Sequence, residues 1–163
     1  MPTPIYADEI EFRVSSALKQ LSEADFYLLK NDLNECSINH MLAYHLQSQF
    51  KEWHVDCEYN KNWNKIKKLE LPKDKVDWTD TEAKSVFPDI IVHRRGGDGP
   101  NLLVIEVKKS SNTSDRRHDY NKLKEYGKIL SYSCALFLEI GTKENAGEWS
   151  FDWRKKENFA GLW

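Results

Sequence analysis

The chain has 163 residues, 31% of them charged, 40% hydrophobic and 12% aromatic, with a formal net charge of −2. That is the size of one domain. The aromatic and apolar content excludes a disordered polymer, and roughly two-thirds of the unfolded surface can be buried in a single core. Three well-separated cysteines, Cys36, Cys57 and Cys134, with no CxxC spacing, exclude a disulfide framework and point to reduced thiols.

From about Ala7 to Leu29, apolar residues recur at helical spacing through Ile10, Val14, Ala17, Leu18, Leu21 and Phe26, which predicts an N-terminal helix. Asn34 or Ser37 can cap a second helix over about 35–50. Its inward stripe is Ile38, Leu42 and Leu46, and one turn earlier that stripe opens on Glu35. Residues 53–60 alternate Val55, Cys57 and Tyr59 with Asp56 and Glu58, as a strand with one wet face does. Residues 61–82 are polar and hold Pro72, and predict a long loop or weak helix.

Two further strands follow, at about 86–94 and 102–109, on either side of the Gly-rich "RRGGDGPN". A helix is predicted over 115–130, then a buried strand over 133–141. A final strand over 147–153 alternates Trp149, Phe151 and Trp153. The order α-α-β-β-β-α-β-β predicts a single α/β domain over 1–163 with a central mixed sheet flanked by helices. Its core is expected at about 35–141, the N-terminal helix at about 7–29 and an aromatic strand and tail at 147–163.

The stretch "FPDIIVHRRGGDGPNLLVIEVKKS" (87–110) places acids inside its two most strand-like runs. Paired symmetrically about the turn, the strands set Asp89 opposite Glu106 and Ile91 opposite Val104. Alternation then puts Asp89, Glu106 and Lys108 on one face, and Ile90, Val92, Leu103, Ile105 and Val107 on the other. Like charges directly opposite are destabilising on a sheet, more so when partly buried. A hard divalent cation between them reverses the sign. Such an ion is bound through carboxylates plus waters and phosphate oxygens, and Lys108, on the same face, can point at the same phosphate or water.

Pro88-Asp89, sixteen intervening residues and Glu106-Val107-Lys108 resemble the motif of the PD-(D/E)XK nuclease superfamily, which includes many restriction endonucleases and junction resolvases. The order helix, three strands, helix, strand also resembles that family's core, over about 35–141. The resemblance implies a restriction-endonuclease-like fold and a Mg²⁺-dependent nuclease, with Mn²⁺ able to substitute. It implies Asp89 and Glu106 as metal ligands with the Val107 carbonyl, Lys108 as the residue that positions or activates water, and Glu35 as the helix-borne acid that assists the metal. The alternative reading is a catalytically silent module of the same fold that binds nucleic acid or a protein partner.

Basic charge gathers around this stretch. Residues 61–75 hold six lysines, including Lys65, Lys67 and Lys68, and residues 108–128 hold Lys109, Arg116, Arg117 and Lys122 among others. These are the candidate phosphate contacts, with DNA the expected partner ahead of RNA. Asp119 and Lys122, three residues apart, read as an ordinary ion pair on the helix surface or as residues that meet the catalytic cluster. Trp149, Phe151, Trp153, Phe159 and Trp163 are a candidate dimer patch or a self-packed terminus. Cys36 and His40 with His54 and Cys57 lack the paired short spacings of structural zinc. No apolar run approaches a membrane span. "MPTPIYADEIEF" lacks the regions of a signal peptide, so a cytoplasmic location is expected.

Overall fold

The computed structural model describes residues 5–59, 61–62, 65–66, 69–70, 85–96 and 101–155. Helix α1 (Ala7–Ala24) buries Ile10, Val14, Ala17, Leu18 and Leu21, the predicted stripe. The helix does not continue to Leu29 as its periodicity suggested. Asp25 leaves the helical conformation, with φ −121° and ψ 29°, before a short α2 (Phe26–Lys30). The Asp25 carboxylate is instead taken by His45 Nε2 at 2.6 Å. Helix α3 (Glu35–Gln49) starts at Asn34, whose side chain accepts the backbone N–H of Ser37 at 2.8 Å. That cap satisfies one of the orphan donors of the first turn.

The main sheet has five strands in the order β1 (His54–Cys57), β6 (Ile90–His93), β7 (Asn101–Lys109), β8 (Cys134–Ile140) and β9 (Trp149–Lys155). Neighbouring strands run antiparallel except β7 and β8, which are parallel. A parallel pair cannot be joined by a tight turn. Helix α4 (Arg117–Leu130) lies in the crossover between them. Of the loop or weak helix expected over 61–82, residues 61–62, 65–66 and 69–70 form short strands in two ladders, and the rest lies outside the described residues. They are β2 (Lys61–Asn62) with β3 (Lys65–Ile66), and β4 (Leu69–Glu70) with β5 (Ser85–Val86). The β4 backbone lies beside α4.

The β6–β7 register is the one the turn symmetry predicts: Ile90 faces Ile105, Ile91 faces Val104 and Val92 faces Leu103. It shifts between Val92 and His93, so that His93 pairs with Asn101. Gly96, at φ 78°, starts the reversal in a conformation that side chains disfavour.

The sheet's two faces carry different cores. On one, Ile90, Val92, Leu103, Ile105, Val107, Leu136 and Leu138 pack against α1 and α3, with Trp149, Phe151 and Trp153 partly buried at the edge. On the other, Ile91, Val104, Ala135 and Phe137 pack under Leu123 and Tyr126 of α4 and Tyr132. The first core is large and built from apolar and aromatic side chains, and area burial there is the main stabilising term. The second is small and ringed by charge.

Candidate active site

The charged ring on the α4 face comes directly from strand alternation. Val104, Glu106 and Lys108 project from β7 toward α4, with Asp89 at the entry to β6, Glu139 on β8 and Asp152 on β9. Asp89 stands at the position opposite Glu106. Its Oδ2 accepts the backbone N–H of Val107 at 2.8 Å, and its own N–H points to Glu106 Oε1 at 3.4 Å. Glu106 is 1% exposed. Burial raises the pKa of both acids, and the charge of Asp89 raises that of Glu106 further.

Helix α4 and its N-cap residue Arg116 meet four of these charged groups, Glu106, Lys108, Glu139 and Asp152, with polar side chains. Lys122 Nζ donates to Glu106 Oε2 at 2.7 Å. Asp119 Oδ2 lies 3.0 Å from Lys108 Nζ. Arg116 pairs with Glu139 at 2.7 Å, and the Tyr120 hydroxyl donates to Asp152 at 2.8 Å. Asp119 and Lys122 are 5% and 8% exposed. They are therefore not an ion pair on the helix surface, as their spacing alone suggested. Each crosses to the sheet, because positions 119, 122, 123 and 126 share the helix face that carries Leu123 and Tyr126. Burial alone would lower the Lys122 pKa, but the charges of Glu106 and Asp89 outweigh it and raise it, keeping the ammonium.

The Tyr126 hydroxyl is buried near enough to Glu106 and Asp89 for both charges to push its pKa up, after burial itself. It has no hydrogen-bond partner among the described residues. An orphaned buried hydroxyl beside two facing carboxylates is the setting that a hydrated hard cation satisfies. The donor set fits Mg²⁺ by its chemistry: two carboxylates that meet at the start of β6 and on β7. Among the described residues, no three His, Cys, Asp or Glu side chains converge as a metal-ligand group.

Glu35 is held at the end of β7. Its Oε2 accepts the backbone N–H of Lys109 at 3.1 Å and its Oε1 takes Asn112 Nδ2 at 3.3 Å. It ties the start of α3 to the end of β7, and the described contacts do not bring it to Asp89 or Glu106. The Lys109 ammonium is held by the carbonyls of Asp32 and Leu33 and by the Asp32 carboxylate. Arg117 is exposed and pairs with Asp115. Lys67 and Lys68 lie outside the described residues, and Lys65 sits in β3.

A second polar cluster on this face went unread in the sequence. His93, fully buried, shares the Asp56 carboxylate with Arg95: His93 Nε2 lies 2.7 Å from Asp56 Oδ2, which also takes Arg95 Nε at 2.9 Å. Burial would raise the Asp56 pKa, yet His93 and Arg95 together hold it well below the ordinary aspartate value. The only signal was the polar residue at each second position of the first strand, which reads equally as a wet face.

Cys57 is exposed as a residue, but its sulfur lies against the Asn39 carbonyl at 3.8 Å. Burial and the Asp89 charge push the thiol up to about 11, the opposite of what a nucleophile needs. No helix among the described residues is long and apolar enough to cross a membrane. No protein-family model, curated protein or solved structure matches the chain.

Proposed function

We propose that the chain is a Mg²⁺-dependent nuclease of the PD-(D/E)XK type that hydrolyses DNA phosphodiester bonds. The observation that carries this reading is the meeting of Asp89 and Glu106 on one face of a register-paired hairpin, with Lys108 two residues on. The topology supports a restriction-endonuclease-like fold: a helix, three antiparallel strands, then a crossover helix leading to a parallel strand.

Asp89, Glu106 and the Val107 carbonyl would hold the ion, which supplies charge neutralisation at the phosphate and a more acidic water. Lys108 would orient that water or the phosphate oxygen, held in place by Asp119. Glu35 acts from behind, by fixing the end of β7. The Lys-rich segment containing Lys65, Lys67 and Lys68 would supply phosphate contacts. A homodimer in the cytoplasm would let two such sites cut both strands.

The test is cleavage of plasmid and branched DNA with Mg²⁺ or Mn²⁺ by wild type, Asp89→Ala and Lys108→Ala. Variants as active as wild type would overturn the assignment. A second reading, a silent module, draws on one observation: Glu106 is already neutralised from within by Lys122. Absence of both cleavage and metal binding would favour it.

A further inference from the structure

The carboxylate pair has a resident cation. Lys122 reaches Glu106 Oε2 at 2.7 Å from a position that is itself 8% exposed. Its ammonium also feels the charge of Asp89 and of Asp119. An ammonium and a divalent ion answer the same need, which is to offset two facing negative charges away from bulk water. They cannot answer it together on the same oxygen. Coulomb repulsion between a single and a double positive charge at contact range is severe where water does not screen it.

Lys122 has somewhere to go. Asp119 precedes it by one turn on the same helix face. Oδ2 of Asp119 lies within ion-pair range of Lys108 but lacks a hydrogen bond of good geometry. The lysine stem is long and its donors rotate freely, so a change of rotamer moves the ammonium from Glu106 toward Asp119 without unseating α4. Leu123 and Tyr126 still hold the helix in place.

We propose that Lys122 is an exchangeable counter-ion: it occupies the Asp89–Glu106 pair in the metal-free protein, and a divalent cation binds only as the Lys122 ammonium withdraws from Glu106. This inference rests on the reading of the pair as a metal site. It makes metal affinity the difference between two cations' claims on one pair of acids, and it sets Lys122 apart from the phosphate-binding role its sequence neighbourhood suggests.

Calorimetric titration of the full chain with Mn²⁺ at mildly alkaline pH tests this, comparing wild type with Lys122→Met and Lys122→Gln. Lys124→Met, which removes an exposed charge from the same helix, controls for a general change in field. Both Lys122 variants are expected to bind Mn²⁺ at least about tenfold more tightly than wild type and the Lys124 control, and to gain a larger rise in Tm on saturation. Equal or weaker binding by the Lys122 variants would overturn the exchange and leave the metal site standing. No binding by any chain, with no Mn²⁺-induced change in Tm, would overturn the metal site and the exchange with it.

Should Lys122→Met not fold, Lys122→Gln keeps a donor toward Glu106 and carries the comparison. In wild type, NMR gives an independent readout. The Lys122 ammonium signal, sheltered against Glu106, is expected to disappear or shift to a fast-exchanging position on Mg²⁺ saturation. An unchanged signal in the saturated protein would overturn the proposal.

Discussion

Asp89 accepts the backbone N–H of Val107 at 2.8 Å, so the acid that begins β6 is stitched to the residue that follows Glu106 on β7. The bond fixes the side chain toward the α4 face and closes the hairpin where regular pairing ends. Asp89→Ala removes the acceptor and leaves a buried donor unmet, at about 1–3 kcal/mol. Asp89→Asn keeps an oxygen for that donor but not the charge. The expected result is a lower Tm for the alanine variant only, with DNA cleavage lost in both, read by thermal melting and a plasmid nicking assay.

Glu35 bonds the Lys109 N–H and the Asn112 side chain. Glu35→Ala is therefore expected to lower stability by about 1–3 kcal/mol, and Glu35→Gln to recover much of it because an amide oxygen still accepts. If cleavage by Glu35→Gln stays within the same order of magnitude as wild type, Glu35 is a strut. If it falls as far as in Asp89→Asn, the acid serves the metal directly.

Asp119 and Lys108 form an ion pair 3.0 Å apart with both side chains mostly buried. Breaking a buried pair from one side costs on the order of 3 kcal/mol. Asp119→Asn, which retains the shape and an acceptor, is expected to cost less than Asp119→Ala in chemical denaturation. In both variants Lys108 loses its ionic partner, so kcat should fall more than KM rises, and further in Asp119→Ala. A change confined to KM would show that Asp119 does not position Lys108 for the chemical step.

Acid stability is expected to depend on Asp32. A hydrogen bond from Ser111 at 2.7 Å, with Lys109 nearby, lowers its pKa to about 2. The folded value lies below the ordinary aspartate value of about 4, so the unfolded chain binds more protons in that window. The stabilisation is complete above about pH 4 and is lost as pH falls through about 2. Melting curves of wild type and Asp32→Asn should therefore converge as pH drops through that range. Asp56, held low by His93 and Arg95 against its burial, pushes in the same direction.

Tyr126→Phe removes a buried hydroxyl that has no partner among the described residues. An unmet buried polar group is costly, so the metal-free variant is expected to be as stable as wild type or up to about 1 kcal/mol more stable. A clear loss of Tm in calorimetry would show that the hydroxyl has a bond of its own.

The hairpin was the most legible part of the chain. Its Gly-rich turn and two β-branched runs admit one symmetric pairing, and a slip by one residue would have thrown Ile90, Val92, Ile105 and Val107 out of the core. The apolar stripes of α1 and α3 were equally plain, because they face a core built from apolar side chains. Legibility failed where a polar residue points inward. Asp119 and Lys122 sit three apart on a helix, the spacing of a surface pair, and only the matching acid and base on β7 turn them toward the sheet. Asp56 and His93 lie far apart in sequence and meet through strand pairing, which no local pattern encodes. Asp25 leaves the helix where its carboxylate meets His45 of α3, twenty residues on, a contact the periodicity of α1 does not encode.

From the crossover through α4 we expect an order of assembly. Helices α1 and α3 and the β6–β7 hairpin are built from near neighbours in sequence, whereas parallel pairing of β7 with β8 must wait for a longer loop to close. Asp89 and Glu106 are thus brought face to face while water still covers them and screens their repulsion. They are sealed only when α4 arrives carrying Lys122. Chains that stall before that moment expose Ile91, Val104, Ala135 and Phe137 as a bare apolar surface, the kind of half-finished sheet that adheres to its own copies during synthesis.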